Sequence, residues 1–211
     1  MQTRQLAIDG AWEFVPDQHP DDRGVFANPY LADEVARAVG HPMALAQTNH
    51  SVSRRGTLRG VHYAMVPPGQ AKYVHCPRGA ALDIVVDIRV GSPTFGRHDT
   101  VRLDTVDLAA VYVGEGLGHV VVALEDDTVI SYLCSTGYEP GRERGVSALD
   151  PALGLRIPPD LDLVLSDRDR AAPTLAEAQT AGVLPRYDDC LAFYETLRRS
   201  PAREAPRRSG P

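Results

Sequence analysis

Two stretches of this 211-residue chain gather side chains able to move protons and hold anions: QTNHSVSRRGTLRGVHY from Gln47 and PPGQAKYVHC from Pro67. Between them they carry Gln47, Asn49, Arg59, His62 and Lys72. Histidine titrates near neutral pH, so it can accept a proton and release it again. Arginine presents a rigid fork of donors suited to phosphate, and lysine a compact charge that can steady an oxyanion. Any one of these residues is more often a satisfied core or surface group. Five of them on strands expected to adjoin one another point to a ligand cavity, because unpaired charge inside a dry barrel is costly. The second half adds His119, Tyr132, Tyr138, Glu143 and Asp169 of LSDRD. Tyr132 reads equally as a strand tyrosine with its ring in the core. Asp169 reads equally as the cap of a turn or helix.

Short β-rich runs must position these groups. They are ALAQT from Ala44, TLRGVHY from Thr57, QAKYVHC from Gln70, ALDIVVDIRV from Ala81, DTVRL from Asp99, HVVVAL from His119 and TVISYLC from Thr128. Glycine and proline are spread between them as punctuation, not pooled in a linker. In the run from Ala81, Leu82, Ile84, Val86 and Ile88 alternate with Asp83, Val85, Asp87 and Arg89. This predicts one core face and one wet face. No helical pattern interrupts Gln47 to Tyr138, which excludes parallel βαβ units there. The expected fold is mainly β, an antiparallel sandwich or barrel of jelly-roll type with short flanking helices. Those helices are LADEVARAV from Leu31, APTLAEAQTAG from Ala172 and YDDCLAFYETLRR from Tyr187. Residues 1–199 are expected to form one domain, and the tail from Ser200 has too little apolar material to offset its ordering entropy. Strict alternation sends Arg59 and His62 to opposite faces of their strand; a bulge at Gly60 would bring both inward.

Composition removes several classes. Twenty-two basic against 28 acidic residues give a net charge of −6 with no basic face, so nucleic acid is not an expected partner. No apolar run reaches the roughly 20 residues of a membrane span, and the N-terminus lacks a secretion-signal plan, so a cytoplasmic location is expected. Cys76, Cys134 and Cys190 are odd in number and unpaired in spacing, which argues against a disulfide framework or a cysteine-rich zinc site. Gly56 and His62 match the start of a metal-cupin pattern, but Ala64 stands where its second histidine would fall and Pro68 and Gly69 where its glutamate would; no metal is expected. GEGLGH from Gly114 lacks a following helix and reads as a turn.

Several long motifs in one order carry a resemblance: DDRGVF at Asp21, QTNHSVSRRGTLRGVHY at Gln47, PPGQAKYVHCPRG at Pro67, DIVVDIRVGSPTFG at Asp83, YLCSTGYEPGRERGV at Tyr132, and DPALGLRIP with LSDRDRAAPTL. From about Asp9 to Pro185 the chain resembles the dTDP-4-dehydrorhamnose 3,5-epimerase family of cupins, more like its antibiotic-sugar branch than the housekeeping enzyme. The resemblance implies epimerisation of a dTDP-4-keto-6-deoxyhexose at C3, C5 or both, without metal or redox cofactor. It gives His62 as base, Asp169 as its partner, Lys72 as the cation for the enolate oxygen and Tyr132 as the proton donor. For the nucleotide it gives Arg23, Asn28, Gln47, Asn49, Arg59, His119, Glu143 and Arg168, with Tyr138 stacking on thymine. It also implies a homodimer that exchanges N-terminal strands, so that Arg23 and its surroundings serve the neighbouring subunit.

The chain departs from the family pattern at Asn28 (usually Glu), Arg168 (usually Lys), Val120-Val121 (usually Gly-Phe) and Ile157 (usually Trp). These positions are expected around the cavity, where they would alter the pose of the sugar and hence which centre inverts. Rival readings are a cupin 3,4-ketoisomerase on the same substrate class, a sugar-nucleotide-binding cupin without catalysis, and a metal cupin oxygenase.

Overall fold

The computed structural model describes residues 1–199, and the tail expected from Ser200 lies outside the described residues. In chain order these residues form β1 (Gln2–Gln5), β2 (Ala11–Val15), β3 (Gln18–Asp21), β4 (Gly24–Ala27) and α1 (Ala32–Val39). Strands β5 (Gln47–Ser53), β6 (Leu58–Ala64), β7 (Lys72–Arg78), β8 (Ala80–Val86) and β9 (His98–Asp104) follow without an intervening helix. Then come β10 (Ala110–Val113), β11 (Gly118–Ala123), β12 (Thr128–Cys134), β13 (Glu143–Gly145), α2 (Asp167–Arg170), α3 (Leu175–Thr180) and α4 (Tyr187–Arg199).

The strands build two antiparallel sheets, β1-β2-β10-β7-β12-β5 and β13-β6-β11-β8-β9, with β3 and β4 as a separate hairpin. This is the expected jelly-roll plan. One expectation about it is corrected: β6 is not a sheet neighbour of β5 or β7 but lies in the other sheet. From β5 to β8 the chain crosses from one sheet to the other at β6, back at β7 and over again at β8, so Arg59 and His62 face Gln47, Asn49 and Lys72 across the barrel.

Three apolar layers follow from the strand patterns. Val74, Cys76, Val85, Val111, Val121 and Ile130 fill the space between the sheets. Ile84, Val86, Ile88, Val120 and Val122 form the outer face of the second sheet and are covered by Ala148, Leu153, Leu161, Leu175 and Leu184 from the C-terminal third. On the outer face of the first sheet, Val35 of α1 packs with Phe14, Tyr73, Ala110 and Tyr112. The wet face expected for the run from Ala81 therefore does not exist. Asp83, Asp87 and Arg89 are at most 1% exposed. With one face of β8 under the C-terminal segment and the other inside the barrel, the charged side chains meet protein partners instead of water: Asp87 pairs with Arg89 and Asp83 with His119.

The strand expected from Ala44 begins at Gln47 and extends to Ser53, a length set by its register with β12 from Cys134 to Thr128. The run from Ala81 ends as a strand at Val86, where Asp87 turns to hydrogen-bond Arg97 and Gly96. Every residue of β1 and β3 is exposed and, apart from Pro20, polar, which is why no apolar alternation announces them. Gly114 to Leu117 of GEGLGH form the turn between β10 and β11, as expected, while Gly118 and His119 already belong to β11. Among the described residues no helix is long and apolar enough to cross a membrane.

Candidate active site

A cavity of about 240 Å³ opens between the two sheets. The first sheet contributes Lys72 from β7, Tyr132 from β12, and Gln47 and Asn49 from β5; the second contributes Arg59 and His62 from β6, His119 from β11 and Glu143 from β13. Tyr138 and Arg168 complete its wall from loop and helix. The facing problem of Arg59 and His62 is resolved by a bulge, as the glycine between them suggested. His62 pairs with His119 and Arg59 with Val121, so three steps along β6 oppose two along β11. Gly60 occupies the extra position at φ +132°, and a Cβ there would lie 2.4 Å from the His119 carbonyl oxygen. Only glycine allows this close approach, which turns both side chains into the cavity.

Asp169 reaches His62 from outside the barrel. Val164 bridges Thr57 beside β6, and Ser166 caps α2 by accepting a hydrogen bond from the Asp169 backbone N–H. Asp169 is thus not the cap that its sequence allowed. Its Oδ1 instead lies 2.6 Å from His62 Nε2, with the His62 side chain 32% exposed and that of Asp169 7%. Burial opposes ionisation of Asp169, yet the His62 hydrogen bond and charge, with Ser166, hold its carboxyl below the ordinary carboxylate range. Because Nε2 is committed to Asp169, His62 has Nδ1 left for a ligand.

Across the cavity, burial pushes the Tyr132 phenol up to about 12; the Asp83 charge adds to this and the Ser51 hydroxyl offsets part of it. Tyr132 is therefore fully protonated near neutral pH. Burial pulls the Lys72 ammonium below its ordinary value, opposed by Glu143, Cys134 and Asp83. The site thus offers an imidazole on one sheet, and a protonated phenol and the Lys72 amine on the other. At the mouth, Arg59 and Arg168 flank His62 and Asp169 in an adjoining groove. The exposed Tyr138 ring sits at the rim, its backbone N–H donating to Gln47 Oε1 at 2.8 Å.

Residues 5–177 match the family described as dTDP-4-dehydrorhamnose 3,5-epimerase. The chain belongs to that family. It is similar to a dTDP-4-dehydrorhamnose 3,5-epimerase of Mycolicibacterium smegmatis, 54% identical over 95% of this chain and 98% of that one. A dTDP-4-dehydrorhamnose 3-epimerase of Streptomyces niveus is 52% identical over 91% of this chain and 92% of its own length. Among solved structures, a 3'-monoepimerase from Streptomyces bikiniensis in complex with dTDP-quinovose superposes with a TM-score of 0.91 at 47% identity, covering 93% of this chain and 99% of that one.

Two residues expected in the epimerase site are not brought to it within the single chain. Arg23 lies on the β3–β4 hairpin with its side chain 88% exposed and pairs with Asp21, and Asn28 is exposed just beyond β4. The departures from the epimerase pattern also divide. Val121 and Arg168 line the cavity, but Val120 points to the outer apolar layer and Ile157 packs against that same layer. Period-2 geometry puts adjacent Val120 and Val121 on opposite faces, so the expectation that all of the departing residues surround the sugar is corrected. Sequence reasoning missed Ser51 and Gln70, which also line the cavity, and Asp83, whose Oδ2 lies 2.7 Å from His119 Nε2. For Asp83 the signal was present, a charge within an apolar strand, but it was read as facing water. Among the described residues no group of three His, Cys, Asp or Glu side chains could hold a metal ion.

Proposed function

We propose that this protein is an isomerase that epimerises a dTDP-4-keto-6-deoxyhexose at C3, C5 or both, in the making of a deoxysugar for a secondary metabolite. The observation that carries the reading is the placement of His62, paired with Asp169, and Tyr132 on facing sheets of one cavity. A hexose lying between the sheets presents one face to each.

His62 Nδ1 takes the proton from the carbon beside the C4 ketone, and the electron pair of that C–H bond moves into the enolate. Asp169 fixes the ring orientation and compensates the imidazolium as it forms. Positioned acid–base groups of this kind contribute about 10²- to 10⁴-fold. Lys72 stabilises the enolate oxygen; a preorganised donor in a water-poor site supplies roughly 3–4 kcal/mol. Tyr132 then gives its phenolic proton to the same carbon from the opposite face, which inverts the centre. Solvent returns a proton to Tyr132 and receives one from His62. Hydrogen leaves and returns as a proton, so the reaction is redox-neutral and calls for no cofactor.

Arg59 and Arg168 suit the diphosphate through bidentate, charge-assisted bonds. Tyr138 suits stacking on the thymine, and Gln47, Asn49, His119 and Glu143 supply neutral and charged partners for base and sugars. Arg23 and Asn28 would complete the site from a second copy, in a homodimer that exchanges its N-terminal strands. The substrate class places the enzyme in the cytoplasm.

The test is NMR in D₂O with dTDP-4-keto-6-deoxyglucose, following deuterium at each sugar carbon and the configuration of the product. Label and inversion at C3 and C5 establish a 3,5-epimerase, and label and inversion at one carbon a monoepimerase. A carbonyl moved to C3 establishes a ketoisomerase instead, and absence of label at both carbons refutes the proposal for this substrate.

A further inference from the structure

One buried carboxylate beside the cavity has no part in the chemistry above. Asp83, on β8, is 1% exposed. Its Oδ2 is bonded to His119 Nε2 at 2.7 Å, while its Oδ1 is buried without a hydrogen-bond partner among the described residues. A half-satisfied buried carboxylate is destabilising and calls for a reason beyond packing. His119 is His62's cross-strand partner, and its ring meets the Tyr132 ring edge-on with centroids 6.1 Å apart. It therefore sits deep between the base and the phenol. With Nε2 committed to Asp83, the atom that His119 has left for the cavity it lines is Nδ1.

A carboxylate can only accept, so a neutral His119 must carry its proton on Nε2 and leave Nδ1 as a bare acceptor. We propose that Asp83 is a positioning residue: it fixes this tautomer and ring plane so that His119 Nδ1 accepts a hydroxyl of the hexose ring, holding the carbon to be deprotonated against His62. The inference rests on the epimerase reading. Asp83 is also close enough for its charge to act on Tyr132 and Lys72, favouring the protonated form of each. One buried anion thus supports the phenol, the ammonium and the histidine that face the sugar.

The experiment uses the full chain, labelled with ¹⁵N. Long-range ¹H–¹⁵N NMR of the unliganded protein is expected to show His119 protonated on Nε2 and bare on Nδ1, with that tautomer lost in Asp83→Asn and the His62 signals unmoved. Steady-state kinetics with dTDP-4-keto-6-deoxyglucose are expected to show Asp83→Asn and His119→Asn each lowering kcat by about 10- to 100-fold, the range typical when the partner orienting an active histidine is lost. The double variant should fall no further than the weaker single one, because Asp83 acts through His119. A proton on His119 Nδ1 in the parent protein, kcat of Asp83→Asn within twofold of the parent, or multiplied losses in the double variant would each overturn the proposal. If Asp83→Asn fails to fold, the tautomer of the parent protein decides. Failure of the epimerase reading itself appears differently, as absence of deuterium exchange by the parent protein, and leaves the NMR result standing.

Discussion

Asp83 and Asp87 are four residues apart in one run and equally buried, yet they end in opposite circumstances. Asp87 accepts from the Arg89 backbone and guanidinium, from Ser92 and from Thr94. Arg89 in turn donates to the Asp9 carbonyl and lies over the Tyr187 ring at 4.9 Å. Burial works against ionisation of Asp87, but these donors hold its carboxyl below the ordinary range. Asp83 has one bond and a free oxygen. The Asp87 carboxylate, with both oxygens bonded, and its Arg89 partner tie the barrel to α4, whereas Asp83 borders the cavity. Buried charge by itself therefore does not mark a site; what distinguishes Asp83 from Asp87 is an unbonded carboxylate oxygen next to the cavity that holds His62 and Tyr132.

This contrast can be broken in order of effect. His62→Asn should reduce both deuterium exchange and epimerisation by about 10³-fold, near the middle of the range for a lost general base; exchange at the normal rate would remove His62 from that role. Tyr132→Phe should lower net inversion by about 10²-fold while proton abstraction, read as deuterium wash-in, persists. At the bonded carboxylate, Arg89→Met should leave Asp87 buried and unpaired and cost about 3–5 kcal/mol of stability in a denaturant titration. Its kcat per folded molecule should stay unchanged, and a loss of kcat without a loss of stability would erase the distinction between the two carboxylates.

A smaller effect concerns pH. Burial pushes Glu115, in the turn after β10, up to about 7. Its folded value lies above its unfolded one, so its contribution is full below the unfolded value and is lost as pH rises through 7. Asp87 and Asp169 act oppositely: their folded values are depressed, so their stabilisation is present above the unfolded carboxylate range and is lost on acidification. Glu115→Gln should therefore flatten the alkaline side of the stability profile, by on the order of 3 kcal/mol at pH 8, and leave the acid side in place. Equal change at pH 5 and pH 8 would exclude this cause.

The site residues were legible in the sequence to different degrees, for physical reasons. His62 and Lys72 stood out because proton-moving and charged groups inside apolar strands are chemically conspicuous; Tyr132 read equally as a core tyrosine, and only the resemblance gave it a role. Asp83 did not, because alternation says which residues share a face but not whether that face meets water. Arg59 and His62 could be reconciled only through Gly60, and only as an option, because a bulge depends on the partner strand. Asp169 was visible as a residue, but its reach to His62, 107 residues away along the chain, depends on the Val164 bridge and the Ser166 cap.

By itself the sequence determined the β-rich plan, the absence of parallel crossovers, the flanking helices and most of the cavity-lining residues. Those follow from local periodicity and side-chain chemistry. Only the tertiary structure decided which sheet each strand joins, and so that His62 and Tyr132 oppose one another. It also decided that β8 has no wet face and that Arg23 and Asn28 lie apart from the cavity of their own chain. These are consequences of long-range pairing, in which the same alternating strand can satisfy its backbone against several partners and only the packing of the whole barrel selects one.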